Sequence, residues 1–519
     1  MGLEKQLTSM IESLMEQNKE KDQRISELTD QIQRLTEQIE YMNRKFFGTS
    51  REKTLPTSDK QLSLFEDSDF LKEAETTAIE TVEEVITYRR KRPIGRKAEL
   101  IKDLPEVEVH CDLSEEECLC SDCGNYMKWM GKRLVRTDVN FIPARLEKHM
   151  YYQHSYACNC HDPQVEAKKI VNAPVPAPAI QRSLASASVL AWLIHQKFEL
   201  SLPTYRQESE WESYGLAVPR RTLSNWIIRS AEDWLSLIYD RLHHHLIRQP
   251  ILHMDETPYQ VNKRSDGKPA SSNAYFWLAR TTKAVETPIV FYHADLTRKQ
   301  SVVKELLGNF SGFLQVDGYS AYKNLPNVTL IGCVAHLRRK FFDVCGKDGK
   351  GAARKGLDFC NQIFKLEDEF ATLTAEERYL KRKEETLPIM EQMYQWMDSI
   401  YVMKGKLKEA ITYAINQKKE LMNIFKDGRL QVSNNICEQK VKPIALGRKN
   451  FLFSDSMAGA KANAICYTIV ETAKENGLNA FKYLTYLFEN LPNLENYRDP
   501  EVLEAFLPWQ KPIQEMCSK

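Results

Sequence analysis

The sequence predicts a multidomain α/β protein, and three observations support this fold class. The chain has 519 residues, which exceeds the roughly 250–300 residues at which a single hydrophobic core stops growing. Residues 248–345 contain short apolar runs typical of strands, interrupted by one amphipathic helical stretch. The regions at 1–47 and 352–426 instead show helical periodicity and many charged residues.

Residues 1–47 are predicted to form a coiled coil. Ile recurs at the a positions of the heptad and Leu at the d positions, a combination that favours a parallel two-stranded coil. Asn18 occupies one a position, where it would fix the register of the two helices. A homodimer or a higher oligomer is therefore expected. The alternatives are a long helix packed on its own domain and pairing with a different protein.

The overall charge does not mark the chain as a nucleic-acid-binding protein. The 72 Lys and Arg residues nearly balance the 71 Asp and Glu residues, so any basic surface must be local. One run of cations, interrupted by Pro93 and Gly95, resembles the arms that some proteins place in the DNA minor groove. It contains Arg89, Arg90, Lys91, Arg92, Arg96 and Lys97. The alternative is a solvated charge run without a ligand.

Two cysteine pairs predict a structural zinc site within residues 99–170. Four thiolates make a closed tetrahedral shell that leaves no open position for catalysis. The predicted ligands are Cys120, Cys123, Cys158 and Cys160. Rival ligands nearby are Cys111, Cys118, His154 and His161. The six remaining cysteines are isolated in the sequence, and we expect them to be buried thiols.

Residues 180–245 show a helix-turn-helix pattern. An apolar helix ends near Phe198, a second begins after Pro203 and ends at Gly215, and a third begins at Pro219. The outward face of the third helix carries residue types that hydrogen-bond phosphates and base edges. These candidates for DNA binding are Arg220, Arg221, Thr222 and Asn225. Helix pairs with similar turns also occur in proteins that bind no DNA.

Three carboxylates carry the strongest chemical signal. Asp255 and Asp317 end the strand-like runs PILHMD and GFLQVD, whereas Glu438 lies in a segment with helical periodicity. Carboxylate oxygens suit Mg²⁺ or Mn²⁺, and three converging acids would hold two ions about 3.5–4 Å apart for phosphoryl transfer. Glu256 and Asp295 are the rival acids. Ordinary surface carboxylates are the alternative.

The sequence segments around these acids resemble those of transposases of the insertion-sequence 66 family. The resemblance is carried, in this order, by HMDETPYQV, QVDGYSAY, GCVAHLRRKFFD, NNICEQKVKPIALGRKN and a closing LPW. It implies a ribonuclease H-like catalytic core in which Asp255, Asp317 and Glu438 form an Asp-Asp-Glu triad that binds two Mg²⁺ or Mn²⁺ ions. Arg448 and Lys449 would neutralise DNA phosphate or cap a helix end. The resemblance also implies accessory proteins from the same mobile element.

The predicted strands match that fold. They are ILHMD, AYFWLAR, PIVFYHAD, GFLQVD and VTLIGCVAH, with a helix, SVVKELLGN, before the fourth. Because Asp317 and Glu438 are far apart in the sequence, we predict that the charged helical stretch between them is an insertion. The predicted domains are a coiled coil (1–47), a linker with the basic arm (48–98), a zinc-binding domain (99–170), a helix-turn-helix domain (180–245), the first part of the core (248–345), the insertion (346–428), the second part of the core (429–475) and a helical tail (476–519).

The predicted function is metal-dependent cleavage at the ends of a mobile DNA element, followed by strand transfer to target DNA. No apolar run approaches the roughly 20 residues that span a bilayer, and the N-terminus lacks the apolar core of a signal peptide. These features predict a cytoplasmic protein, and the family resemblance implies that it is bacterial and associated with the nucleoid. The alternatives are an inactive DNA-binding regulator and a metal-dependent nuclease that cuts without joining.

Overall fold

The computed structural model describes residues 146–157, 170–264, 266–269, 273–282, 285–345, 351–402 and 404–519. The predicted coiled coil, the basic arm and the four predicted zinc ligands lie outside these ranges. The first described elements are two short antiparallel strands within or beside the predicted zinc-binding domain, β1 (Ser155–Ala157) and β2 (Ile170–Asn172).

Four helices follow, and the first three lie where the sequence predicts the helix-turn-helix pattern. They are α1 (Ala187–Phe198), α2 (Thr204–Ser213), α3 (Arg220–Ser230) and α4 (Ser236–Leu246). Gly215, just beyond α2, has a φ of +87°. Glycine adopts this left-handed conformation without strain, which explains why the second helix ends there.

A mixed sheet forms the centre of the fold. Its strands are β3 (Ile251–Lys263), β4 (Ala274–Thr281), β5 (Val290–Asp295), β6 (Gly312–Gln315) and β7 (Val328–Ile331), in the spatial order β5-β4-β3-β6-β7. The first three strands pair antiparallel, and β6 and β7 run parallel to β3. The helix α5 (Gln300–Leu307) connects β5 to β6.

Two strand predictions were wrong in their bounds. The first strand does not end at Asp255, because β3 continues to Lys263 and its second half pairs with β4. Buried Thr257, Tyr259 and Val261 alternate there with exposed residues, the period-two pattern of a strand with one face in the core. The last strand ends at Ile331, and a helix already begins at Val334.

Helices follow β7, and the helical character predicted for residues 352–426 is confirmed. The helices are α6 (Val334–Cys345), α7 (Ala352–Glu369), α8 (Ala375–Lys381), α9 (Leu387–Ser399), α10 (Lys406–Asn416) and α11 (Lys418–Met422). They enclose a hydrophobic core of their own, which includes Phe341, Leu357 and Met393. Ile251 of β3 and Ile331 of β7 also belong to this core, so the insertion packs directly against the sheet.

The chain then returns to the sheet. The remaining elements are α12 (Asn435–Phe451), β8 (Phe453–Ser456), α13 (Met457–Glu475), α14 (Ala480–Asn490), α15 (Pro500–Glu504) and α16 (Lys511–Cys517). The Thr468 and Thr472 hydroxyls of α13 accept hydrogen bonds from the main-chain N–H groups of Tyr292 (2.9 Å) and Val290 (3.1 Å) on the edge strand β5. This contact covers donors that an exposed sheet edge would leave unpaired.

One hydrophobic core joins the four N-terminal helices to the sheet. Leu193 of α1 and Leu223 of α3 belong to the same buried cluster as Trp277 of β4 and Tyr467 of α13. The helix-turn-helix pattern is therefore packed onto the sheet through α13 rather than standing apart from it.

Two further expectations concern cysteines and membranes. The six isolated cysteines are confirmed as buried, unpaired thiols: Cys333, Cys345, Cys360, Cys437, Cys466 and Cys517. Within the described ranges, every helix is too short or too polar to cross a lipid bilayer.

Arg382 offers a test of how the insertion is held together. Its side chain is 1% exposed and donates to the Glu367 carboxylate (2.7 and 2.6 Å) and to the Leu430 carbonyl (2.8 Å). We expect Arg382→Ala to lower the free energy of unfolding in urea by about 3–5 kcal/mol, because it leaves a buried carboxylate without a partner.

The matched control is Arg354→Ala, which removes an ion pair with Asp358 whose side chains are 53% and 44% exposed. That change should cost no more than about 0.5 kcal/mol. Similar small losses in both variants would show that the Arg382 contacts do not hold the insertion.

Candidate active site

Asp255 and Asp317 come together because their strands are neighbours. His253 of β3 pairs with Gln315 of β6, and each acid follows two residues later, on the same side of its chain. The Glu256 N–H donates to Asp255 Oδ1 (2.8 Å) and the Tyr319 N–H to Asp317 Oδ1 (2.9 Å). Both carboxylates are thus oriented by the main chain that follows them.

Gly318 allows the loop after Asp317 to lie close to the helical insertion. A Cβ atom at this position would lie 2.8 Å from the Tyr413 ring and 3.2 Å from the Gln417 side chain. Glycine is therefore required for the close approach of this loop to α10 of the insertion. The helical insertion thus supports the loop that follows the second acid.

Glu438 lies in the first turn of α12 and is 8% exposed. Its Oε2 lies 3.6 Å from Arg339 Nη2, and its Oε1 lies 3.8 Å from His336 Nδ1. Oε1 is buried without a hydrogen-bond partner. A buried carboxylate oxygen left open in this way is suited to a cation.

The electrostatics link the three acids. Burial raises the pKa of Asp255 well above its usual range, and the negative charge of Glu256 raises it further. The charges of Asp317 and Glu438 also raise the pKa of Asp255, whereas the hydrogen bond from the Glu256 N–H lowers it. Such mutual repulsion would be relieved by a divalent cation, so the residues present fit Mg²⁺ or Mn²⁺.

The rival acids have other partners. Glu256 bonds to the Arg298 guanidinium (Nε at 2.9 Å) and accepts a hydrogen bond from the Tyr322 hydroxyl. Asp295 Oδ1 accepts from the N–H (2.7 Å) and the hydroxyl (3.0 Å) of Thr297. Both acids are therefore occupied within the protein, although the charge of Glu256 is still felt at Asp255.

The basic residues of α6 divide between two sets of partners. His336 and Arg339, three positions apart on the helix, face Glu438. Arg338 instead donates to Asn361 Oδ1 (2.7 Å), and the Lys340 ammonium lies 4.8 Å from the centre of the Tyr413 ring. The packing of α6 therefore directs His336 and Arg339, but not Arg338 or Lys340, toward Glu438.

Cys333, His336 and Glu438 have potential ligand atoms within 4.8 Å of one another, which could suggest a softer metal. Burial raises the pKa of Cys333 to about 11, so the thiol is protonated at neutral pH. Its sulfur also accepts a hydrogen bond from the Asn434 N–H (3.2 Å). Cys333 therefore serves as a structural acceptor, and the carboxylates remain the candidate metal ligands.

A charged network behind α12 was not predicted from the sequence. The Arg280 guanidinium, 1% exposed on β4, donates to the Ile436 carbonyl and to Glu475, both at 2.9 Å. Lys440 pairs with Glu471 (2.8 Å) and Glu475 (2.7 Å) on α13. A buried arginine in the strand AYFWLAR was a possible signal, because such a cation requires a partner.

The predicted DNA-binding residues lie on other parts of the surface. On α3, Arg220, Arg221 and Asn225 are exposed and Thr222 is half-buried, while Leu223 is fully buried. The predicted outward and inward faces of this helix are thus confirmed. In the last turn of α12, Lys449 is exposed, and Arg448 is half-buried and donates to the Pro258 carbonyl.

Comparison with known families gives four matches along the chain. The model described as "Transposase IS66 family" matches residues 182–462, more than half of the chain. The chain belongs to the IS66 transposase family. It is therefore a polynucleotidyl transferase of the Asp-Asp-Glu type, and membership implies a divalent metal and DNA binding.

The other matches cover the flanking regions. The IS66 leucine-zipper model, described as "Transposase C of IS166 homeodomain", matches residues 34–109. The "zinc-finger binding domain of transposase IS66" matches 117–161, and the "IS66 C-terminal element" matches 468–509. The zinc-finger match spans all four predicted cysteine ligands but not Cys111.

Similar curated proteins come from Sinorhizobium fredii. The protein y4jD is 26% identical over 509 residues, which is 94% of this IS66 transposase and 96% of y4jD. The protein y4qI is 28% identical, covering 92% of this chain and 89% of its own length. Both are described as uncharacterised, so they indicate shared ancestry over nearly the full length and no further function.

We expect Asp255→Asn and Glu256→Gln to affect cation binding differently. Asp255→Asn should weaken Mn²⁺ binding at least about tenfold, since it removes a candidate ligand. Glu256→Gln should change it by no more than about threefold, because this carboxylate is already paired with Arg298. Calorimetric titration of the DNA-free protein measures both affinities. A larger loss of Mn²⁺ affinity in Glu256→Gln than in Asp255→Asn would show that Glu256, rather than Asp255, is the ligand.

Mn²⁺ affinity should also depend on pH. Because the pKa of Asp255 is raised, cation binding must release its proton, and the affinity should fall by up to about tenfold per pH unit as pH drops through that raised value. Asp295→Asn, which changes an acid outside the cluster, should keep this dependence. If the Mn²⁺ affinity did not change down to about pH 4, near the ordinary carboxyl pKa, this result would contradict the raised pKa of Asp255.

Proposed function

We propose that this IS66 transposase cuts DNA at the ends of a mobile element and joins the freed 3′ ends to target DNA. The proposal is supported by the positions of Asp255 on β3, Asp317 two residues beyond β6 and Glu438 in the first turn of α12, since the charges of Asp317 and Glu438 both raise the pKa of Asp255. We infer that the core is ribonuclease H-like. The strand order β5-β4-β3-β6-β7, with three antiparallel strands followed by two parallel ones, supports this inference.

The three acids would hold two Mg²⁺ or Mn²⁺ ions. When bound, such ions activate the attacking oxygen and stabilise the leaving oxygen of a phosphodiester. Asp255 and Asp317 would act as a pair across neighbouring strands, each fixed by a main-chain N–H. Arg339, whose guanidinium lies beside Glu438, is placed to offset phosphate charge.

Two displacements complete the reaction. In the first, water attacks the phosphodiester at the element end, so that one P–O bond forms and the bond to the 3′ oxygen breaks. In the second, this 3′ hydroxyl attacks a phosphodiester of the target, forming one new bond and releasing one target 3′ hydroxyl. Because each step exchanges one P–O bond for another, a covalent protein intermediate is not required.

DNA binding is assigned to several surfaces. The exposed face of α3, with Arg220, Arg221, Thr222 and Asn225, would contact duplex DNA, and Arg448 and Lys449 would contact phosphate near α12. The basic arm around Arg89–Arg96 and a zinc-stabilised domain with the four cysteine ligands would add further contacts. We also propose that residues 1–47 dimerise, since two element ends must be held together, and that accessory proteins assist.

The experiment is joining of a pre-cleaved element end to plasmid DNA in Mg²⁺ or Mn²⁺. Asp317→Ala should lower the joining rate at least about a hundredfold, because the pair with Asp255 loses one member. Asp295→Ala is the matched control: it also removes an acid at the end of a strand, and it should join at close to the wild-type rate.

The outcomes separate the candidate functions. Joining by Asp317→Ala at the wild-type rate would contradict the assignment of the acids. Cutting without joining by the wild-type protein would instead identify a nuclease. End binding without cutting, in the presence of metal, would identify an inactive DNA-binding regulator.

A further inference from the structure

The short segment 431–434, just before α12, contacts β3, which carries Asp255, β6, which precedes Asp317, and α12, which carries Glu438. The Gln315 side chain of β6, two residues before Asp317, donates to the Gln431 carbonyl. The Val334 N–H at the start of α6 donates to the Val432 carbonyl (2.8 Å). The last residue of the segment, Asn434, is 1% exposed and makes the largest set of these contacts.

The Asn434 side chain is fixed to β3. Its Nδ2 donates to the carbonyl of Met254 (2.8 Å), the residue directly before Asp255. Its Oδ1 lies 2.9 Å from His253 Nδ1. Because Nδ2 is already assigned as the donor to Met254, Oδ1 must accept, and the His253 ring donates from Nδ1.

The Asn434 main chain is fixed to Glu438. Its carbonyl accepts hydrogen bonds from the N–H groups of Cys437 (2.9 Å) and Glu438 (3.1 Å). Its own N–H donates to the Cys333 sulfur (3.2 Å), three residues before His336. One buried residue therefore connects the strand of Asp255, the helix of Glu438 and the start of the helix that carries His336 and Arg339.

We propose that Asn434 is a positioning residue that sets the separation of the Asp255 and Glu438 carboxylates and thereby the affinity of the site for divalent cations. The proposal rests on the assignment of these acids as metal ligands under the proposed function. Asn434 itself contributes no ligand, since both of its side-chain polar atoms are used within the protein.

Asparagine is suited to this position for a definite reason. One side-chain atom must donate to a carbonyl while the other accepts from an imidazole, and an amide offers both over a short side chain. Alanine would remove both contacts and keep the main-chain carbonyl that holds Glu438. Serine would supply one hydroxyl in place of the amide, so it should restore part of the connection to β3.

The test measures Mn²⁺ binding to the full chain without DNA, by calorimetry, together with the thermal unfolding temperature. Asn434→Ala should weaken Mn²⁺ binding by about 10–100-fold, the range typical when a group that orients metal ligands is removed. Asn434→Ser should lie between Asn434→Ala and wild type, and it keeps the test open if the alanine variant does not fold.

Asn463→Ala is the matched control. Asn463 is also buried, and its Nδ2 donates to Ser454 Oγ (3.0 Å) and Tyr259 Oη (3.3 Å), side chains that lie outside the group of acids. It should lower the unfolding temperature to a similar degree while leaving Mn²⁺ affinity within about twofold of wild type.

Three results would overturn the positioning role. They are wild-type Mn²⁺ affinity in folded Asn434→Ala, wild-type affinity in folded Asn434→Ser, and an equal loss of affinity in Asn463→Ala. Failure of the proposed function is recognised separately, because Mn²⁺ binding would then be unchanged in Asp255→Asn as well. Loss in Asp255→Asn without loss in either Asn434 variant would reject the positioning role alone.

Discussion

The contact between the start of α12 and β3 determines where Glu438 lies relative to the two aspartates. Asp255 and Asp317 are neighbours by strand pairing, but Glu438 arrives only after a long helical insertion. Nothing in the sheet itself would bring a helix to this position. The hydrogen bonds of Asn434 to Met254 and Glu438, and that of Arg280 to the Ile436 carbonyl, define where the helix begins.

Opposite charges surround the acids and keep the cluster folded before any cation binds. Glu438 faces Arg339, and Glu256 is paired with Arg298. On the other side of α12, Arg280 and Lys440 are paired with acids of α13. Since a buried charge without a partner is strongly destabilising, these pairs make a dense group of carboxylates compatible with a stable core. The Glu438 Oε1 atom, which has no hydrogen-bond partner, is a suitable ligand for a divalent cation.

The sequence predicted the sheet well because its strands carry clear apolar patterns. The helices of the helix-turn-helix pattern were also predicted, because Gly215 and Pro219 mark helix ends that depend on local conformation. The helical insertion and the helix of Glu438 were predicted as well. The predicted end of the first strand at Asp255 failed because TPYQV contains a proline. Pro258 is tolerated there: it lies exposed on β3 opposite Tyr275.

The supporting residues of the site could not be predicted from local pattern. In the sequence, Asn434 is an ordinary residue before a helix. Its hydrogen bonds to Met254 and His253 join positions about 180 residues apart. The split of the α6 cations between Glu438 and the insertion likewise depends on how the helix packs. Such long-range contacts have no signal in spacing or composition, whereas the acids and their order do.

Anomalous diffraction from crystals soaked in Mn²⁺ would show directly which side chains bind the cations. We expect two peaks about 3.5–4 Å apart, with Asp255, Asp317 and Glu438 as the protein ligands and Asn434 still bonded to the Met254 carbonyl. Peaks coordinated by Glu256 or Asp295 instead, or a site built on Cys333 and His336, would contradict this assignment.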